Sequence, residues 1–286
     1  MNPKKLLPKN LSRYVADFKR RSGWLLEETS AGQLVNLGLA GAQYGLGVGK
    51  TPAWPAILKI DISPVCNLRC TVCVHASPGD SASLDAQSFD STQKMSLERY
   101  RAIIDEVKGK TSAVSLYYLG DPLVHPDLPA MARIAKDAGM RVHVNTNFSF
   151  KFKQDRLKRM VESGITHFTV CVDGLKQETY ERTRVGGKID VVLKNLEFLC
   201  RYRDTLNTGY PKVEVQYIKY QHNVDQLEEA QRIFSSLGVD SVTDFWGSLH
   251  NYTDLDIDKY DVGEPRQSKA LPHCFWPSFA MVIKYD

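Results

Sequence analysis

Cys66, Cys70 and Cys73 stand within the run Asp61-Ile-Ser-Pro-Val-Cys-Asn-Leu-Arg-Cys-Thr-Val-Cys-Val-His75, spaced by three residues and then by two. Thiolates are soft ligands that favour iron–sulfur clusters, zinc or Cu(I). Electron-transfer ferredoxins close a cubane cluster with four cysteines. A [4Fe–4S] cluster held by three keeps one iron open for a substrate, so this spacing points to chemistry at the fourth iron. Two other readings stay open. The three thiols and His75 could form a Cys3His zinc site, although structural zinc sites usually draw their ligands from two separated pairs. The cysteines could also be unrelated structural thiols, with only Cys171, Cys200 and Cys274 elsewhere in the chain.

The loop needs a scaffold, and from Ile57 onward short apolar runs alternate with amphipathic segments, the pattern of repeated βα units on a parallel sheet. Six strands are expected near 57–62, 113–119, 141–146, 166–172, 212–218 and 240–246, with helices near 96–108, 127–138, 153–163, 188–203 and 224–236. Residues 10–44 read as two short helices, followed by a flexible connection at Gly45-Leu-Gly-Val-Gly49; Gly49-Lys50-Thr51 copies only the end of a phosphate loop. Segment 74–94 is a long insertion rich in serine and aspartate.

Strand side chains alternate between faces. Phe168, Val170 and Val172 therefore share one face, and His167, Thr169, Cys171 and Asp173 the other. The same split separates Val213, Val215 and Tyr217 from Glu214 and Gln216, and Val142 and Val144 from His143, Asn145 and Asn147; Lys59 pairs with Asp61. A closed eight-stranded barrel fills its interior with apolar layers. A recurring polar face instead implies a partial (β/α)6 TIM-like barrel around a wet lumen, with an N-terminal helical extension. The expected divisions are 1–55 for that extension, 56–248 for the barrel and 249–286 for a C-terminal segment.

Every motif falls where a strand hands over to a loop. The cysteine loop follows the first strand, and Tyr118-Leu-Gly-Asp-Pro-Leu-Val-His-Pro-Asp127 follows the second. Together they resemble the radical S-adenosylmethionine (SAM) superfamily, whose Gly-Gly-Glu-Pro segment corresponds to the second loop. The resemblance covers residues 57 to about 246. It implies a [4Fe–4S] cluster on Cys66, Cys70 and Cys73, and SAM as the second cofactor. It places the methionyl amino group on Leu119, Gly120 and Asp121, with Leu119 for glycine and Asp121 for glutamate. Asn145-Thr-Asn147 is similar to a Thr-Asn-Gly ending with Phe148 in the glycine position. Cys171-Val-Asp-Gly174 and Arg184-Val-Gly-Gly187 are similar to the Ser-x-Asp-Gly and Arg-Gly-Gly segments of members carrying a SPASM extension. Roles beside SAM then fall on Cys171, a low-ranking candidate hydrogen donor, and on Arg184, for the SAM carboxylate. Val72 takes an adenine-side position, and Gln216 and Asn223 are further polar candidates there. His75, His125 and His222 read as loop residues rather than iron ligands.

The implied activity is reductive cleavage of SAM to a 5′-deoxyadenosyl radical that takes hydrogen from a peptide or small molecule. Its implied partners are that substrate and a reductant such as flavodoxin or ferredoxin. The rival is a non-catalytic binding protein stabilised by zinc on the same loop. At 286 residues, 43% hydrophobic and with a net charge of +4, the chain has no concentrated basic stripe of the kind a nucleic-acid surface shows. No run reaches the roughly 18 apolar residues of a membrane span. Free thiols suit a reducing compartment, so cytoplasm is expected. Lys4, Lys5, Lys9, Arg13, Lys19, Arg20 and Arg21 against Asp17 read as a solvated leading helix. At the far end, Pro272-His-Cys274 through Asp286 is similar to the start of a SPASM region. Its apolar strand Ala280-Met-Val-Ile283 is expected to lack a partner, as in a chain that stops inside that region.

Overall fold

The apolar runs form seven short strands: β1 (Ile57–Ile60), β2 (Ala113–Ser115), β3 (Arg141–Thr146), β4 (His167–Val172), β5 (Lys212–Lys219), β6 (Ser241–Trp246) and β7 (Ala280–Ile283). These come from a computed structural model that describes residues 29–47, 52–71, 73, 75, 90, 92–247 and 276–286. The strands lie in one sheet in the order β6-β5-β4-β3-β2-β1-β7, every neighbouring pair parallel. The six expected strands thus follow one another in sequence order around an open barrel.

The helices are α1 (Ala31–Leu46), α2 (Leu97–Val107), α3 (Leu128–Asp137), α4 (Gln154–Glu162), α5 (Gln177–Glu181), α6 (Ile189–Leu206), α7 (Leu227–Ser236) and α8 (Trp276–Phe279). Their apolar faces meet one face of the sheet. Leu58, Ile60, Val142, Val144, Phe168, Val170, Val213 and Val215 pack there with Ile104, Met131, Leu157, Leu196 and Phe234 in a single core. The alternate strand positions are left for the polar interior.

Three expectations need correction. The strand near 113–119 ends at Ser115, because the chain must leave the sheet for Gly120 to press on the cysteine loop. Ala280–Ile283 does have a partner: it lies parallel to β1, with Asp61 N donating to Ile283 O at 2.8 Å, so it extends the sheet past its first strand. The Gly45–Gly49 connection is helical as far as Leu46, and Gly47 ends α1 at φ +65°, a left-handed conformation that glycine adopts without a Cβ penalty.

Helix α1 belongs to the barrel as much as its strands do. Ser30 and Gln33 form a reciprocal cap at its start. Gln33 Nε2 also donates to the carbonyls of Thr111 at 2.8 Å and Gly139 at 3.0 Å, just ahead of β2 and β3. Asn36 donates to the carbonyls of Trp54 and Lys110. The helix therefore lies across the amino-terminal ends of the strands. The basic leading segment, Val72, Cys274 and most of segment 74–94 lie outside the described residues.

Candidate active site at the carboxyl ends of the strands

Cys66, Cys70 and Cys73 are each partly buried in the loop after β1, and Cys73 N donates to Cys70 O at 3.1 Å. What shapes the loop is the glycine after β2. A Cβ on Gly120 would lie 2.3 Å from Val65 O and 2.4 Å from Ser63 O, so no side chain fits. Asp121 N completes the contact by donating to Val65 O at 2.9 Å. On the other side, Arg69 N bonds Val185 O and Thr71 N bonds Thr183 O, which ties the loop to the segment after α5. The cysteine loop is thus clamped between the two motifs that the sequence marks as its partners.

Burial pushes the Cys66 thiol up to about 12, with Asp121, Cys70 and Cys73 adding to the rise. Burial likewise raises Cys70 to about 11, against the pull of Arg184. Thiols that stay protonated near neutral pH must give up protons when a metal binds. Among the described residues, no three His, Cys, Asp or Glu side chains converge tightly enough for one metal ion. Zinc needs every sulfur about 2.3 Å from a single centre. A cube offers three irons at separate corners and accepts a wider set of thiolates, so this donor set fits a cluster better than zinc.

Asp121 sits 4% exposed in the middle of the site. Its carboxylate accepts from Thr146 Oγ1 at 2.8 and 2.9 Å, Asn147 N at 2.8 Å, Asn147 Nδ2 at 2.7 Å and Leu123 N at 3.0 Å. Burial still lifts the carboxyl to about 6 against these donors. The sequence assigned this acid to the methionyl amino group, but the structure engages both its oxygens with the end of β3. Leu119 and Gly120 reach the site through their backbone, and the Leu119 carbonyl lies 3.2 Å from His75 Nε2. Behind the loop, Asp61 is 0% exposed with neither oxygen in a hydrogen bond of ordinary geometry. Burial lifts it to about 6, partly offset by the nearby Leu119 and Gly120 N–H groups and Lys284.

Arg184 grips Asp173 in a fork, Nε to Oδ2 at 2.7 Å and Nη2 to Oδ1 at 3.0 Å, and Thr183 Oγ1 adds a bond at 2.9 Å. Burial opposes the Arg184 charge, but Asp173, Cys70 and Cys171 outweigh it and hold the guanidinium protonated. Cys171 Sγ lies 3.0 Å from Asn145 Oδ1 and 3.8 Å from Gln216 Oε1, which links three predicted residues across β3, β4 and β5. Burial is the main cause that raises this thiol to about 11.

Asn223 does not join them. It is fully buried and bonds Tyr220 N, Asp173 O and Ile218 O, so it fastens a turn instead of facing a ligand. His125 bonds Met95 O and Asp127 N, and His222 stacks on Tyr220, so both hold loops.

Two residues escaped the sequence reading, Asn67 and Tyr117. Asn67 joins the cysteine loop to β3, with Asn147 Nδ2 at 2.9 Å from its Oδ1 and 3.9 Å from Cys66 Sγ. Tyr117 stands edge-on to His143, with Lys59 Nζ 4.5 Å from its ring centre. An asparagine directly after the first cysteine and an aromatic pair before the glycine loop were the available signals.

The Radical SAM superfamily model matches residues 60–213, more than half of the chain. The chain belongs to the radical SAM superfamily. Its relatives include the Fe-coproporphyrin III synthase of Methanosarcina barkeri, 26% identical over 54% of this chain and 38% of that protein. Another is the tungsten-containing aldehyde ferredoxin oxidoreductase cofactor-modifying protein of Pyrococcus furiosus, 26% identical over 65% of this chain and 49% of that one. The chain therefore spans less than half the length of these relatives. Among solved structures, Streptococcus suis SuiB bound to S-adenosylmethionine aligns with a TM-score of 0.54 at 14% identity, over 86% of this chain and 53% of SuiB, a likeness of fold. Radical SAM enzymes use a [4Fe–4S] cluster and SAM, and the three thiols clamped after β1 suit that cluster. Among the described residues, no helix is long and apolar enough to cross a membrane.

Proposed function

We propose that the chain binds SAM at a [4Fe–4S] cluster on Cys66, Cys70 and Cys73 and cleaves it reductively, so that the resulting 5′-deoxyadenosyl radical takes hydrogen from a peptide or small-molecule substrate. The single observation that carries this reading is the seating of Gly120 on the Ser63–Val65 backbone, which joins the cysteine loop and the Gly-Asp-Pro loop into one site. A cluster held by Cys66, Cys70 and Cys73 would supply the electron for reductive cleavage of SAM bound beside it. The protein supplies position and shelter from water.

The Leu119–Gly120 backbone holds the methionyl ammonium. Asp121 keeps that backbone in register with β3 by absorbing donors from Thr146 and Asn147. Arg184 offers its remaining N–H groups to the SAM carboxylate while Asp173 fixes its plane. Asn145, Cys171 and Gln216 line the wall beside the adenosyl group. The order Cys171-Val-Asp-Gly174 followed by Arg184-Val-Gly-Gly187 supports membership of the SPASM-associated branch, and the free thiols support a cytoplasmic setting with a flavodoxin or ferredoxin as reductant.

Anaerobic reconstitution tests the proposal. The wild type should take up iron and sulfide, turn brown and convert SAM to methionine and 5′-deoxyadenosine with dithionite, and Cys66→Ala, Cys70→Ala and Cys73→Ala should each lose both properties. A full cluster in all three variants would refute it.

A further inference from the structure

Helix α1 is built inside out. A helix on the surface of a globular protein normally turns its apolar stripe to the core. Here the inward face is polar: Gln33 and Asn36 are buried and donate their amide N–H groups to backbone carbonyls at the base of the barrel, with Ala40 the third buried residue. The outward face holds Leu34, Val35, Leu39 and Leu46, between 43% and 77% exposed. At 3.6 residues per turn these four share one side of the helix, with Gly38 and Ala42 between them. No Asp, Glu, Lys or Arg occurs within Ala31–Leu46. At its carboxyl end the apolar surface continues: Tyr44 lies 6.3 Å from Phe279, and α8 shows Trp276 to solvent.

Size and charge decide what this face suits. Its 16 residues make a surface about 24 Å long and about 10 Å wide, or about 240 Å². Two copies pressed together there would bury about 500 Å², well below the roughly 1,200 Å² of a stable protein interface. A lipid surface sets no such threshold, because affinity sums the apolar area buried with the attraction to anionic headgroups. The segments on which α1 rests are balanced, with Lys108, Lys110 and Lys136 against Asp105, Glu106 and Asp137. The chain just ahead of the helix is not. Residues 1–30 hold seven basic residues, all between Lys4 and Arg21, against Asp17, Glu27 and Glu28, and Lys50 follows the helix. Basic residues next to an apolar helix face supply both terms of binding to an anionic lipid surface.

We propose that the outer face of α1, formed by Leu34, Val35, Leu39 and Leu46, lies in the headgroup region of an anionic lipid membrane, drawn there by the basic residues that precede it. The helix lies on the bilayer and does not cross it. The contact is independent of the cluster assignment, since the cysteine loop stands at the other ends of the strands and would face away from the lipid.

The test uses the full chain and vesicles of phosphatidylcholine with and without phosphatidylglycerol, with partition read by co-sedimentation. Leu34→Gln/Leu39→Gln removes apolar area at positions already facing solvent, where the fold has little to lose; Val35→Gln is the milder second variant. The wild type should partition at least about tenfold more strongly onto the anionic vesicles at low salt, and lose most of that preference at high salt. Leu34→Gln/Leu39→Gln should fall at least about tenfold and Val35→Gln about threefold on the same vesicles. A wild type that ignores anionic vesicles would overturn the membrane face, and so would partition unchanged in both variants. A dimer of the wild type that Leu34→Gln/Leu39→Gln dissolves, with no vesicle binding, would overturn it in favour of a second copy. Resistance of the Lys4–Arg21 bonds to trypsin without vesicles, lost in the double variant, would overturn it in favour of the leading segment as the cover.

Discussion

The carboxyl ends of β1–β3 and the outer strand β6 are built to different standards. At the first, Gly120 meets backbone at 2.3 Å, Asp121 is surrounded by donors, and Asn147 spans to the cysteine loop, so little can move without disturbing a neighbour. At the second, β6 has no buried residue and Phe245 is 45% exposed. The first region carries the loops proposed to hold the cluster and SAM. The second carries none of the proposed cofactor contacts. Tight interlocking thus coincides with the proposed cofactor site, and looseness lies away from it.

The sharpest way to break this contrast is Gly120→Ala. With backbone carbonyls and not flexible side chains in the way, the cysteine loop must move, and the variant should assemble less than about a tenth of the wild-type cluster, read as iron per chain. Near-normal iron loading would mean that the contact is dispensable. Next comes Asp121→Ala, which leaves buried donors of Thr146, Asn147 and Leu123 unpaired. At about 1–3 kcal/mol for each lost buried bond, and without full additivity, the loss should be on the order of 4 kcal/mol in a denaturant titration. Asp121→Asn should recover part of it.

His143 tests the lumen between the two regions. Burial, reinforced by His167 and Lys59, pushes its imidazole down to about 3, while Ser115 and Thr169 flank its ring nitrogens. Above its ordinary value the ring is neutral in both folded and unfolded chains and pH has no effect through it. As pH falls below about 6.5, only the unfolded chain takes the proton, so stability drops by about 1.4 kcal/mol per unit until the folded value is reached. The difference in acid sensitivity between wild type and His143→Gln isolates this contribution from the carboxyls, which titrate the other way. A parallel pH dependence in the two proteins would show that the lumen is wet enough to charge the ring. The smallest effect is expected at β6, where Phe245→Ala should change stability by less than about 0.5 kcal/mol, since nearly half of the ring already faces solvent.

The same contrast explains what could be read from the chain beforehand. The six βα units were legible because period-two and helical patterns follow from which face each element buries, and those patterns are local. The cysteine and Gly-Asp-Pro loops were legible because metal chemistry and close backbone approach leave few residue choices. Pairing between distant segments was not. Nothing local in Ala280–Ile283 names β1 as its neighbour, and nothing in Asp121 says that its carboxylate turns to β3. Phe148 shows the limit from another side: at φ +57° it occupies a conformation that favours glycine, yet it is fully buried and packs edge-on against Phe168 at 5.1 Å. The ring's burial, worth roughly 2–3 kcal/mol, outweighs a left-handed penalty of about 1–2 kcal/mol. A side chain in a glycine-like conformation is thus offset by a neighbour that only the folded chain reveals.

Helix α1, laid across the amino-terminal ends of β2 and β3, makes the barrel a vessel with a floor. A ligand held by the loops after β1–β3 is therefore approached from the end of the sheet that α1 leaves uncovered, so a bulky side chain placed on those loops closes its path where one placed on α1 does not.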